Sequence, residues 1–141
     1  MKPRQWLAPA AIMLLIAGVI ALNHHYRARG GVETVLQCAD LRQGCRAMLG
    51  DRDVTLGVTG ELRLLAPFDL WVKASGVDRV EASFTMVGMD MGFNLYTLHA
   101  DAQGLYRARI TLPVCVTGRN DWQLHVDIDG RRLTVPFVTE L

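Results

Sequence analysis

Short runs in which apolar and polar residues alternate recur from residue 54 to the end of the chain. Residues 122–128 have an apolar side chain at every second position, and Asp129 and Gly130 follow them. This period of two is typical of strands, and an Asp-Gly pair indicates a hairpin turn. The predicted strands are, in chain order, 54–58, 62–65, 68–74, 77–86, 93–99, 105–112, 122–128 and 133–138.

The number and spacing of these strands predict the fold class. Seven or so short strands with regular turns over about 110 residues are typical of an antiparallel sandwich. We therefore expect an all-β domain of immunoglobulin-like or cupredoxin-like type, with a transmembrane helix ahead of it. The expected regions are an anchor at 1–29, a cysteine-containing lead segment at 30–52 and the sandwich at 53–141.

The predicted transmembrane helix is an uncharged segment at residues 6–22. At 1.5 Å per residue it would span about 26 Å, slightly less than the hydrocarbon core of a bilayer. Lys2 and Arg4 precede it, which favours a cytoplasmic N-terminus at the inner membrane and a periplasmic C-terminal domain. Two arginines beyond the segment weaken that orientation. A signal peptide cleaved after Ala21 is the rival interpretation.

Charge and motifs narrow the possible functions. All 14 acidic residues but only 11 of the 15 basic ones lie beyond Gly30, so this part has a net charge of 11 − 14 = −3. An acidic domain is a poor candidate for binding nucleic acid. The chain has no P-loop, GxGxxG, GxSxG, HExxH or CxxC motif. We therefore expect a protein that is not an enzyme.

Three cysteines bear on the chemistry of a periplasmic domain. Cys38 and Cys45 close a short loop, which makes a local disulfide plausible in an oxidising compartment. A bridge from Cys115 to either of them is the alternative, and sequence does not choose between them. A thiol left over at Cys115 suits a metal ligand, and it equally suits a small buried apolar residue.

A cluster of methionines is the main candidate for a metal site. Met86, Met89 and Met91 fall within six residues among glycines. Thioether sulfur is a soft, neutral ligand that suits Cu(I), and it does not form disulfides. His99, His125 or Cys115 could complete such a site. The alternative is that these methionines fill the core.

Three segments of the sequence resemble a known family. They are the methionine-glycine loop at 84–92, the strand at 104–113 that begins Gly-Leu-Tyr and ends in proline, and the strand at 122–126 that begins with tryptophan. They are similar to the FixH-like and YtkA-like group of membrane-anchored extracytoplasmic proteins.

The resemblance implies an immunoglobulin-like sandwich, copper handling, and a part in the assembly of haem–copper respiratory oxidases. Met89, Met91 and Gly92 match the group's loop, whereas the cysteines lie outside its general pattern. Phe93 follows Gly92 where the group has a histidine.

Two functions follow as expectations. The first is a periplasmic metallochaperone that binds Cu(I) and passes it to an oxidase subunit or another copper chaperone. The second is a structural or interaction module for membrane-complex assembly that binds no metal. Its methionines would then form an adaptable apolar contact surface.

Overall fold

A computed structural model of the chain describes residues 12–23, 33–89, 94–114 and 117–140. The chain divides into two compact units, Met1–Gly31 and Val32–Leu141. In the first unit, residues 12–23 are helical with exposed side chains. Among the residues described, no helix has both the length and the apolar character that crossing a membrane requires. Residues 6–11 of the predicted span lie outside the described residues.

The second unit is built of β-strands, as the alternating pattern predicts, but the predicted strand at 62–65 is wrong: Arg63 makes only an isolated bridge to Glu140. Its strands are β1 (Thr34–Val35), β2 (Cys45–Leu49), β3 (Arg52–Thr59), β4 (Pro67–Ala74), β5 (Val80–Thr85), β6 (Leu95–Ala100), β7 (Leu105–Thr111), β8 (Asp121–Ile128) and β9 (Arg131–Val138).

The strand β8 shows why these residues form strands. Its apolar residues Trp122, Leu124, Val126 and Ile128 are buried, and the polar residues between them are only half-buried. The pleat places alternate side chains on opposite faces, so one face of the strand joins the core. The Asp129-Gly130 turn links β8 to β9, and both residues have positive φ. This confirms the predicted hairpin.

The strands follow the order β1-β9-β8-β5-β6-β7-β4-β3-β2. All neighbours are antiparallel except β1, which runs parallel to β9. β6 pairs first with β5 and then, at His99 and Ala100, with β7. It therefore connects the two halves of the strand order, β1-β9-β8-β5 and β7-β4-β3-β2.

The two halves face each other across the core. Phe68 of β4 and Phe84 of β5 meet edge to face, with ring centroids 6.1 Å apart. Phe84 makes the same kind of contact with Tyr96 of β6 and Phe137 of β9. These contacts join both halves around one core, and the domain is all-β and sandwich-like. β1 and β2 lie within the predicted lead segment, 30–52, and are paired to β9 and β3.

Candidate functional site

Met86 and Met89 form a tight turn directly after β5. The two residues make an antiparallel bridge, and the Met89 amide donates a 3.1 Å hydrogen bond to the Met86 carbonyl. Gly88 lies between them with φ +75°, a conformation that glycine adopts without steric cost. Residues opposed in such a bridge have Cβ atoms about 5 Å apart. The turn therefore brings the two thioether side chains together.

Burial differs between the two methionines. Met86 is 2% exposed and belongs to the core, while Met89 is half-buried against the same core. Met86 therefore fills the core, as the alternative interpretation expects, and it also stands beside a more accessible thioether. Met91 lies outside the described residues.

The turn marks one end of the sandwich, which we call the methionine end. β7 and β9 finish there, and β6 and β8 begin there. Cys115 lies outside the described residues. The described chain on either side of it reaches this end, because Leu112 follows β7 and Arg119 donates a 3.1 Å hydrogen bond to the Val87 carbonyl.

His99 lies at the opposite end of the sandwich. It is exposed and pairs with Arg107 of β7. The residue before it, Leu98, pairs with Val80 at the start of β5, so His99 lies one residue beyond that start. Met86 follows the other end of β5, about seven residues or roughly 23 Å away along the strand. The fold therefore does not bring His99 to the methionine turn. Among the described residues, no group of three or more histidine, cysteine or acidic side chains is arranged to hold a metal.

The methionine end also carries exposed aliphatic side chains that the strand pattern does not single out. They are between 53% and 66% exposed: Leu65, Val87, Leu95, Val114 and Val138. Leu65 belongs to this end because its amide bonds to the Leu112 carbonyl. Isolated exposed apolar residues are common, but a group around one site indicates a contact surface.

Cys38 and Cys45 form a disulfide with a Cα–Cα distance of 5.8 Å. Of the pairings that the sequence left open, the local one is confirmed. The enclosed loop is anchored to the sheet, because the Val58 amide donates a 2.9 Å hydrogen bond to the Leu41 carbonyl. Cys38 also lines a groove of about 620 Å³ between this loop and the end of β9.

Removing the disulfide is expected to destabilise the domain by roughly 2–3 kcal/mol. The cysteines are seven residues apart, and the loop-entropy model assigns that range to so short a loop. Urea unfolding of a Cys38→Ala/Cys45→Ala variant, compared with the oxidised wild type, measures the difference. An unchanged midpoint and slope would show that the bridge contributes nothing.

A chain of hydrogen bonds on the outer face of the sheet links four residues. Thr85 Oγ1 lies 2.9 Å from His125 Nε2, and His125 Nδ1 lies 2.8 Å from Thr134 Oγ1. The Thr134 hydroxyl donates a 2.7 Å hydrogen bond to Glu33. Since that hydroxyl donates to Glu33, it accepts from His125 Nδ1–H. In the neutral form of His125 the proton therefore lies on Nδ1, and Nε2 accepts from the Thr85 hydroxyl.

The surroundings of His125 favour the same neutral form. Burial lowers its pKa, and the nearby Arg132 guanidinium lowers it further, while Glu33 and Asp127 oppose the shift. The sequence suggests His125 as a residue that could complete a metal site. The structure gives both ring nitrogens hydrogen-bond partners within the domain.

Acidification is expected to weaken the domain through His125. The pKa of His125 is lower in the folded state than in the unfolded state. Its contribution to the free energy of unfolding is therefore complete above about pH 6.5 and is lost as the pH falls through the folded pKa. Urea unfolding between about pH 7 and pH 5 should show a steeper loss for wild type than for His125→Gln. His99→Gln, at an exposed position, is the control and should follow wild type. Equal slopes for wild type and His125→Gln would contradict the assignment.

Fold and site together define an all-β, sandwich-like domain with a disulfide-closed loop and an opposed methionine pair at one end. Comparison of the chain with protein-family models, curated proteins and solved structures finds no match. Any function must therefore be argued from the site itself.

Proposed function

We propose that this protein is a membrane-anchored periplasmic accessory protein that binds Cu(I) at the methionine turn and assists assembly of a haem–copper respiratory oxidase. The observation that carries the proposal is the bridge between Met86 and Met89, which pairs two methionines across a tight turn at one end of the domain. Copper is here a cargo that the domain receives and passes on.

The chemistry of the turn supports Cu(I) over harder ions. Thioethers are soft and neutral, so they discriminate against Mg²⁺, Ca²⁺ and Zn²⁺ and favour Cu(I). Burial of Met86 keeps one sulfur away from water, and the half-buried Met89 gives the ion a route of access. Met91 and Cys115 are the proposed further ligands. His99 is not included, because the fold places it at the other end.

The disulfide supports the proposed compartment. Such bonds persist in oxidising spaces such as the periplasm. The uncharged segment 6–22 is the proposed anchor, with the N-terminus in the cytoplasm. The strand order, with β1 parallel to β9 at one side, supports an immunoglobulin-like sandwich. An oxidase subunit or another copper chaperone is the proposed partner.

Anaerobic titration of the full-length chain with Cu(I), in competition with a chromophoric chelator, tests the proposal. We expect about one ion per chain, held tightly enough to compete with the chelator. A chain that withdraws no Cu(I) from the chelator would overturn metal delivery as the function.

A second candidate function rests on a separate observation. The exposed aliphatic residues around the methionine turn, from Leu65 to Val138, suit a contact surface of an assembly module that binds no metal. This function predicts that Met86 and Met89 serve by shape and apolarity alone. Replacing both methionines with leucine would then preserve binding to the partner, whereas it would abolish Cu(I) delivery.

A further inference from the structure

Trp122, like Met86, is buried in the core at the methionine end of the sandwich. In the register of β5 and β8, Phe84 faces Leu124 and Thr85 faces Gln123. Met86 and Trp122 come directly beyond this last pair on their two segments of the chain, and both are buried in the core. Met86 also bridges to Met89, so Trp122, Met86 and Met89 all lie at the methionine end.

The indole of Trp122 has an unusual environment. Its side chain is 1% exposed, yet Nε1–H finds no hydrogen-bond partner in the part of the chain that the structure describes. A buried donor without a partner carries a desolvation cost, and most buried indoles avoid it. The hydroxyl of Thr139, just beyond β9, is also buried and has no hydrogen-bond partner among the described residues. Two buried polar groups at the methionine end therefore lack a partner within that part of the chain.

We propose that Trp122 is part of the Cu(I) site and that its ring stabilises the bound ion by a cation–π contact. This inference rests on the proposed function. The thioethers of Met86 and Met89 are neutral, so neither of them reduces the positive charge of an ion held between them. The negative face of an aromatic ring attracts such a charge within about 6 Å of the ring centre, and tryptophan does so best. Met86 and Trp122 continue two neighbouring strands, which lie about 4.8 Å apart, and an indole on one strand can reach a thioether on the next.

The position of Trp122 also suits this role physically. A cation–π contact gains strength where water is excluded, and both Met86 and Trp122 are almost completely buried. The indole N–H has no acceptor within the described segments, so no hydrogen bond to them fixes the orientation of the ring. A small shift of the ring on metal binding therefore breaks no hydrogen bond to those segments.

Tryptophan fluorescence during anaerobic Cu(I) titration of the full-length chain tests the inference without altering Trp122. The chain has three tryptophans, at positions 6, 71 and 122. We expect a change in emission that saturates with about one ion per chain. It should persist in Trp6→Phe and in Trp71→Phe and be lost in Trp122→Phe.

Affinity provides the second measurement. Trp122→Leu, which removes the aromatic ring, should weaken Cu(I) binding about tenfold, and Trp122→Phe should weaken it less, because phenylalanine retains a weaker negative face. Circular dichroism establishes that each variant is folded. No Cu(I) binding by wild type would overturn the proposed function as well. Binding that depends on Met86 and Met89 but leaves Trp122 emission and the Trp122→Leu affinity unchanged would overturn this inference alone.

Discussion

Replacing Met86 and Met89 together with leucine is expected to lower the affinity for Cu(I) at least about a hundredfold, or roughly 2.7 kcal/mol. Leucine keeps the apolar character and nearly the volume of methionine, so the core should lose less than about 1.5 kcal/mol for each change. Only the two sulfur ligands disappear. Chelator competition measures the affinity, and urea unfolding measures the stability.

Met48 offers a matched control for this double substitution. It lies on β2 with an exposed side chain, whereas the methionine turn follows β5. Met48→Leu removes one thioether and should leave Cu(I) binding unchanged. If the double variant binds as tightly as wild type, the ion is not held at the turn. If Met48→Leu weakens binding equally, the loss is not specific to the turn.

Phe84→Ala should destabilise the domain by about 4 kcal/mol. Its ring meets three others edge to face at 6.0–6.2 Å, those of Phe68, Tyr96 and Phe137, and so joins both halves of the sandwich. Truncation loses the burial of a large side chain and leaves a cavity among these rings. Because domains of this size are stable by only about 5–15 kcal/mol, the change should be large in urea unfolding.

Leu95→Ala is the control for the aromatic cluster. Leu95 lies on β6 and is 58% exposed, so its truncation should alter stability by no more than about 0.5 kcal/mol. A loss below about 1 kcal/mol for Phe84→Ala would mean that its contacts do not hold the two halves together.

Local signals explain what sequence predicted well. Strand β8 and its turn are specified by residues close in the chain, through the period of two and the Asp129-Gly130 pair. The Cys38–Cys45 disulfide is likewise local. In each case the deciding residues lie within one strand or one loop, so their spacing carries the information.

Long-range register explains what sequence could not provide. Glu33 and Thr134 are 101 positions apart, and Thr85 and His125 are 40 apart, yet they join one hydrogen-bonded chain. His99 is a candidate metal ligand because it is a histidine close in sequence to the methionines. However, β6 runs antiparallel to β5, so His99 at the end of β6 lies at the end of the sandwich opposite the methionine turn. Trp122 and Met86 come directly beyond the last pair of β5 and β8, Thr85–Gln123, and no sequence pattern predicts that placement.

Under the proposed N-terminal anchoring, the attachment of β1 has a mechanical consequence. Tension transmitted through the chain would first load the two-residue pairing of β1 with β9, at Thr34 and Val35, and the Glu33–Thr134 hydrogen bond. Once those contacts part, Cys38 is the next covalent junction. Its disulfide transmits the force directly to Cys45 at the start of β2, so residues 39–44 cannot extend under the tension. The rest of the sandwich would then be pulled from β2, at the opposite side of the strand order.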